Sequence, residues 1–333
     1  MRYQFDIQCH AGGDVHDQNI IIRTLWLFVV LFIVGTVVFY ASQMTMMAFF
    51  GQRAPFFEIF ARTRRLYSDY LGGILSEWDW GATGNPGFKT PVWQTIRETA
   101  PYALRLNLVA MAVSIVLALF FGITTAWKKN TVYDYVVNTF CLVLSSIPAF
   151  IWIFGLMVLF GFRLRWVPPL FPLYSGAEWH VIALGYVIPT LALIGMPLAV
   201  LTQLIRGELS EQLDADFLLL AKVKGLRKDQ IVSKHLLRNS ILPALEKVPV
   251  LFASVMFNSF LLELIYGVPG VGRWFFRNIY EPMMDTGYFL IDVNVMVAVS
   301  LFYAVLALAM ILIVDVLYVI IDPRIALGDN KEQ

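Results

Sequence analysis

The stretch AKVKGLRKDQIVSKHLLRNSILP, Ala221 to Pro243, is charged and almost free of aromatics, yet it interrupts a chain that is 59% hydrophobic and only 15% charged. A soluble fold of 333 residues could not cover its surface with so few charges. The apolar excess, a mean hydropathy of +0.69, points instead to a chain whose solvent is largely lipid. The polar island is then a segment held outside the bilayer, and the runs around it decide the fold.

Outward from the island, no charged residue lies between Arg23 and Arg53, from Leu106 to Trp127, from Tyr135 to Phe162, from Val181 to Ile205, or from Val293 to Val314. Each window supplies the roughly 20 apolar residues that a spanning helix requires. A sixth window, Val248 to Leu262, is shorter before Glu263 interrupts it, and Leu264, Ile265 and Tyr266 continue its apolar character. An all-α polytopic membrane protein with six transmembrane helices is expected.

Orientation follows from the loops. The second and fourth carry Lys128, Lys129 and the basic island, whereas the third and fifth carry only Arg163, Arg165, Arg273 and Arg277. Excess Lys and Arg mark the cytoplasmic side, so both termini are expected inside a cytoplasmic (inner) membrane. The first loop is basic as well, through Arg53, Arg62, Arg64 and Arg65, but a loop of that length follows the charge rule poorly. The expected organisation is a cytoplasmic tail at 1–19, an anchor helix at 20–41, an extracytoplasmic loop at 42–100, a five-helix core at 101–322 holding a cytoplasmic loop at 206–243, and a tail at 323–333. The amino end has no evident small-residue cleavage site and reads as a retained tail and anchor.

Soluble-enzyme chemistry is largely missing. Cys9, His10, Asp14, His16 and Asp17 are metal-capable types whose spacing fits no familiar site, so no metal is expected, and with Cys141 in an expected membrane helix and Cys9 on the cytoplasmic side a disulfide between them has no support. There is no G-x-x-x-x-G-K-[ST] phosphate loop, hence no ATP hydrolysis by this chain, no catalytic residues and no cofactor of its own. GVPGVG, Gly267 to Gly272, lacks nucleotide-binding spacing and follows an apolar helix, so it reads as a tight turn. His180 and His235 fall on opposite sides of the membrane and cannot form a dyad.

Within the island, Glu208, Glu211, Asp214 and Asp216 precede Lys222 and Lys224, the order that a helix dipole favours. Gly225 supplies a helix-ending residue. Ile231, Val232, His235, Leu236 and Asn239 then recur at three- and four-residue spacing before Pro243, which is expected to end the second helix. The result is helix, glycine elbow, helix.

These residues resemble a family. Asp216 through Ala221, Lys222, Lys224, Gly225 and Leu226, followed by Lys234, His235, Leu236, Leu237, Arg238, Asn239 and Pro243, look like the EAA loop of ABC importer permeases, most closely the dipeptide, oligopeptide and nickel branch. Glu263, Gly267, Pro269, Gly270, Gly272 and Arg273 resemble that branch's E-x-x-F-x-x-P-G-x-G-R segment, and Asp315, Tyr318, Asp322, Pro323 and Arg324 its closing D-x-x-Y-x-x-x-D-P-R. Asp79, Gly81 and Thr83, then Pro91 and Val92, are similar to landmarks in the long loop of the first permease of such pairs, with Thr83 in place of the usual Ser. Leu219 and Leu220 occupy the E-A positions of the general pattern, and Phe217 replaces the common Tyr.

The resemblance implies a type I importer half-pore. A second permease, identical or distinct, would complete the channel, two ATPase subunits using ATP and Mg would bind below, and an extracytoplasmic solute-binding protein would deliver substrate. Lipid is the remaining partner; nucleic acid is not one. Short peptides are the expected cargo; nickel chelates, opines and sugars are the family's other solutes. Lys222, Lys224, Arg227 and Lys228 would serve coupling rather than topology alone. Glu263 and Asp315 are read as structural, because a position near the membrane edge lowers the cost of an acid there. Pro148, Pro189 and Pro197 are expected to kink or break helices, with pathway lining and plain packing both open. A self-sufficient secondary transporter would show an internal repeat, and an intramembrane enzyme a converging nucleophile and base; neither pattern is evident.

Overall fold

A computed structural model describes residues 25–47, 55–83, 90–173, 178–213, 237–286 and 292–321. They belong to two compact units, one formed by residues 1–96 and 277–333, the other by 97–276.

In the first unit, α1 spans Leu25–Met47, with a mean hydropathy of 2.4 in its most apolar window. Two of its hydroxyls bond back one turn, Thr36 to the Phe32 carbonyl and Thr45 to the Ala41 carbonyl, both at 2.7 Å, so neither threonine need face lipid unpaired. Helix α2, Phe56–Glu77, ends on Trp78 in the left-handed conformation at φ 55, where the Trp78 and Asp79 amides close onto the Ile74 and Gly73 carbonyls. Two short strands, β1 (Ala82–Thr83) and β2 (Thr90–Pro91), pair antiparallel. Helix α11, Val293–Ile321, is capped by the Asp292 carboxylate, which accepts from the Asn294 amide at 3.0 Å. Phe39 of α1 packs against Val293 and Val297 of α11 and against Tyr67 and Tyr70 of α2.

The expected landmarks Asp79 to Val92 knot this unit together. The Asp79 carboxylate accepts from the Gly81 amide at 2.8 Å, and Gly81 adopts φ +79. Thr83, buried, donates to Asn278 Oδ1 at 2.8 Å, and Asn294 donates to the Ala82 carbonyl at 3.2 Å. A Cβ on Gly81 would stand 2.5 Å from Asn294 Nδ2, so the position excludes a side chain twice over, by backbone conformation and by contact. Thr for Ser at residue 83 keeps the donating hydroxyl.

The second unit holds α3 (Val92–Trp127) from residue 97 onward, α4 (Val132–Ser146), α5 (Ala149–Leu156) running on as a π-helix (Met157–Arg163), α6 (Trp179–Gly185), α7 (Val187–Leu193), α8 (Gly195–Leu213), α9 (Leu237–Tyr266) and the start of α10 (Val271–Thr286). Helix α4 lies along α8 through Val137, Cys141 and Ala199, and α9 packs against α8, α7 and α5. Small side chains on that seam let the backbones approach closely, which is how helices associate where lipid removes the hydrophobic drive.

Among the described residues, four unbroken helices are long and apolar enough to cross a membrane: Leu25–Met47, Val92–Trp127, Ser240–Tyr266 and Val293–Tyr318. Two bent pairs reach that standard only as pairs, 132–163 with a bend of 103° and 179–213 with a bend of 55°, giving the expected six if each crosses once. The first bend has a local cause: Ile147 is extended, as a residue before proline prefers, and Pro148 starts α5 without an amide to donate. Pro197 lies three residues past the second break, at Ile194, and Pro189 inside α7. The expectation that Pro243 ends a helix is overturned. Helix α9 starts at Leu237 and runs through both Pro243 and Pro249. A proline inside a membrane helix strands one carbonyl a turn back, which neighbouring groups can satisfy.

Candidate functional site

Helix α8 is described to Leu213 and α9 from Leu237. Asp216, Ala221, Lys222, Lys224, Gly225, Leu226 and His235 therefore lie outside the described residues, as do Asp322, Pro323 and Arg324. Arg238 and Asn239 sit in the first turn of α9, and Asp315 is half-buried on α11.

The approach to the island is held by a pair that sequence reading passed over. Asp134, 1% exposed, is in the first turn of α4, and Arg206 is on α8. Arg206 Nε meets Oδ1 and Nη2 meets Oδ2, each at 2.6 Å, a parallel two-pronged bond that fixes angle as well as distance. Asn138 Nδ2 donates to Oδ1 at 2.6 Å and the Asn130 amide to Oδ2 at 3.1 Å, so each carboxylate oxygen takes two donors. A signal was present: the third window starts immediately after Asp134 and the fourth stops immediately before Arg206, so opposite charges flank two apolar runs.

At the far end of α9, every marked residue of the glycine-rich segment has a place. Gly267 takes φ +80, and its carbonyl accepts from Arg273 Nη1 at 2.6 Å. Glu263 Oε2 accepts from the Gly272 amide at 2.7 Å and more weakly from the Arg273 amide at 3.4 Å, at the first turn of α10, where a helix dipole favours an anion. A Cβ on Gly270 would stand 2.3 Å from Glu263 Oε2, and one on Gly272 would stand 2.8 Å from both Phe260 Cα and its carbonyl oxygen. Pro269 lies in the non-helical turn between them, and buried Tyr266 is tied to the loop through the Pro168 carbonyl. The segment is thus a turn whose anion slot is filled by the protein's own carboxylate, which leaves no place for a nucleotide phosphate. The expected reason for tolerating Glu263, a position near a wet membrane edge, does not hold: it is 0% exposed, with Oε2 held by the α10 amides and Oε1 buried without a hydrogen-bond partner.

Between these two anchors the helix breaks meet. A cavity of about 80 Å³ is lined by Ser145 and Pro148 at the first break, Gly195 at the second, Trp152 of α5, and Ser254 and Asn258 of α9. Asn258 spends its amide N–H on the Ser254 carbonyl at 2.8 Å, leaving its own oxygen as an acceptor, and the Trp152 indole N–H is buried without a partner. All three expected prolines lie at or within five residues of a break, and two of them, Pro148 and Pro197, line the cavity. Among the described residues no cluster of three or more His, Cys, Asp or Glu could hold a metal; Cys9, His10, Asp14, His16 and Asp17 lie outside them.

A family profile described as the binding-protein-dependent transport system inner membrane component matches residues 114–327. The dipeptide transport system permease protein DppB of Lactococcus lactis subsp. cremoris is 33% identical over 237 residues, 71% of this chain and 73% of that protein. DppB of Bacillus subtilis is 30% identical over 78% of this chain and 79% of its own length. The oligopeptide transport system permease protein OppB of Salmonella typhimurium is 28% identical over 89% of this chain and 94% of its own length. Among solved structures, the MetNI methionine ABC transporter, in inward-facing conformations, superposes with a TM-score of 0.52 at 14% identity, covering 71% of this chain and all of that one; that likeness speaks for the fold.

Proposed function

The chain belongs to the binding-protein-dependent transport system inner membrane components, and on that premise we propose that it is the first permease of an ABC importer of short peptides. It forms one half of a pathway that a second related permease completes, with two ATPase subunits supplying ATP and Mg chemistry and an external binding protein supplying cargo. The observation that carries the reading is the likeness to dipeptide and oligopeptide permeases along 71–89% of the chain. In the proposed orientation both termini and the stretch 206–243 are cytoplasmic, and 42–100 is outside. The Asp134–Arg206 pair then stands at the cytoplasmic end of the second unit and the Glu263 turn at its outer end.

The chain carries no phosphate loop, so energy reaches the cavity through contact with the ATPases, and Gly225 is the elbow of that contact. The test is a complex reconstituted in proteoliposomes with labelled dipeptide and loaded binding protein. Gly225→Val should leave the two permeases paired while uptake and binding-protein-stimulated ATP hydrolysis are lost together, because a Cβ at a left-handed elbow costs about 1 to 2 kcal/mol, comparable with a typical coupling energy. Lys331→Ala should change neither. Wild-type uptake by the Gly225→Val complex would overturn the assignment of the elbow, and failure of the wild-type complex to take up any peptide would overturn the function.

A further inference from the structure

Asp134 and Arg206 do more than flank apolar runs. A charge that only sets topology needs water, as the exposed Lys128 and Lys129 next door have it. Asp134 is withdrawn from water and receives four donors, two of them the prongs of one guanidinium. The rest of the α4–α8 seam, Val137, Cys141 and Ala199, is small, apolar and uncharged. The forked bond adds a charged restraint that fixes angle as well as distance between the two helices.

What each helix reaches at its other end gives the pair a use. Helix α4 carries Asp134 in its first turn and cavity-lining Leu144 and Ser145 in its last, while α8 carries cavity-lining Gly195, Met196 and Pro197 in its first turn and Arg206 about 16 Å further on, at 1.5 Å per residue. The two helices run antiparallel, locked to each other at one end and walling the same cavity at the other. Tyr133, beside the lock, also meets Thr124 of α3 at 2.8 Å, so the end of α3 is tied in.

We propose that the Asp134–Arg206 pair makes α4 and α8 a single lever, so that force entering α8 from the stretch 206–243 moves both helix breaks that wall the cavity. This rests on the reading that the stretch meets an ATPase. Asp134 and Arg206 are positioning residues in that scheme and touch neither cargo nor nucleotide. Without the lock, α8 would turn or slip against α4, and motion at Leu213 would reach the Gly195 break but not the Pro148 break.

The experiment uses the same reconstituted complex and reads three quantities: assembly, ATP hydrolysis stimulated by loaded binding protein, and peptide taken up per ATP hydrolysed. Asp134→Asn leaves the guanidinium without its counter-charge, and Arg206→Lys keeps the charge but loses the fork. The decisive variant is Asp134→Leu with Arg206→Met, because a packed apolar pair commonly preserves a fold from which a single charge cannot be removed. It should assemble and hydrolyse ATP like wild type while uptake per ATP falls at least about fivefold, the lower end of typical coupling effects, with Arg206→Lys falling in the same direction. Uptake per ATP within about twofold of wild type in the apolar double variant would overturn the lever, being smaller than any typical coupling effect. Loss of assembly in that variant would overturn it equally, by showing that the pair merely holds the fold. A wild-type complex that assembles without coupling would instead fault the ATPase-contact reading, which the first measurement on wild type separates from the rest.

Discussion

Replacing Gly272 by alanine tests the turn between α9 and α10 at its tightest point. Gly272 is in the first turn of α10, where its backbone is helical and alanine is conformationally welcome, by about 1 kcal/mol relative to glycine. Contact is the obstacle. The new Cβ would stand 2.8 Å from Phe260 Cα and from the Phe260 carbonyl oxygen, and 3.0 Å from Glu263 Oε2. Two of those three atoms are backbone of α9 and cannot swing away, so α10 has to retreat. A retreat sufficient to restore ordinary contact stretches the 2.7 Å bond from the Gly272 amide to Glu263 beyond hydrogen-bonding range. The lost bond to a buried carboxyl costs about 1 to 3 kcal/mol and the overpacking about 1 to 3 kcal/mol; these overlap, since one motion relieves the second by causing the first. Set against the propensity gain, the expected net loss is about 2 to 4 kcal/mol.

The assay is equilibrium unfolding of the purified chain in mixed micelles, followed by tryptophan fluorescence. Gly155→Ala is the matched control, because a Cβ there meets nothing within 4 Å and α5 continues through it; it should be neutral or stabilising by up to about 1 kcal/mol. A double-mutant cycle with Glu263→Ala adds a second reading. If the damage passes through the carboxylate, the two losses should fall short of additivity, since the bond can be lost only once. Gly272→Ala as stable as Gly155→Ala would refute the reasoning.

Two further outcomes follow from the first unit and from the proposed orientation. The Tyr70 hydroxyl is buried without a hydrogen-bond partner, and burial, with Asp79 and Asp292 nearby, pushes its pKa up to about 12, so it stays neutral at any working pH. Tyr70→Phe keeps the ring 5.1 Å from Phe39 and removes only an unpaired polar atom, so stability should be unchanged or rise by up to about 1 kcal/mol in the same unfolding assay, and a loss above that would mean the hydroxyl is paired. For orientation, Tyr70 is too well packed to carry a label; exposed Ser68 is the better site. In intact cells, with Cys9 and Cys141 replaced, Ser68→Cys should react with an impermeant thiol reagent and Lys228→Cys should not; the reverse pattern would invert the topology.

The apolar windows were legible because spanning lipid demands a run of about 20 residues, a constraint written directly into composition. The bend at Pro148 was legible for a similar reason, since proline and the residue before it restrict the backbone wherever they fall. The break at Ile194 was legible only as a neighbourhood: Gly195 follows it directly and Pro189 and Pro197 flank it at five and three residues, but none of them fixes the residue at which the helix turns. Pro243 misled in the opposite sense, because a proline ends a helix only when nothing else satisfies the carbonyl it strands, and that depends on neighbours remote in sequence.

Charges at window edges pose the sharper case. Lys128, Lys129, Asp134, Arg206 and Glu263 all sit at or just beyond the end of an apolar run, and composition treats them alike. The fold separates them. Lys128 and Lys129 keep water; Asp134 exchanges water for Arg206, Asn138 and the Asn130 amide; Glu263 exchanges it for the amides of a turn that returns to it nine and ten residues later. Removing a carboxylate from water costs several kcal/mol, and the two acids offset it unequally: each Asp134 oxygen takes two donors, whereas Glu263 has donors on Oε2 and none on Oε1. The donors for Glu263 are legible as glycines, because only residues without a Cβ let a backbone come that close. Those for Asp134 come from Asn130, Asn138 and a helix seventy-two residues away, and only the opposite sign of Arg206 at the matching edge of another window hints at the bond. The two buried acids therefore differ both in how completely their oxygens are paired and in how much of that pairing is local in sequence.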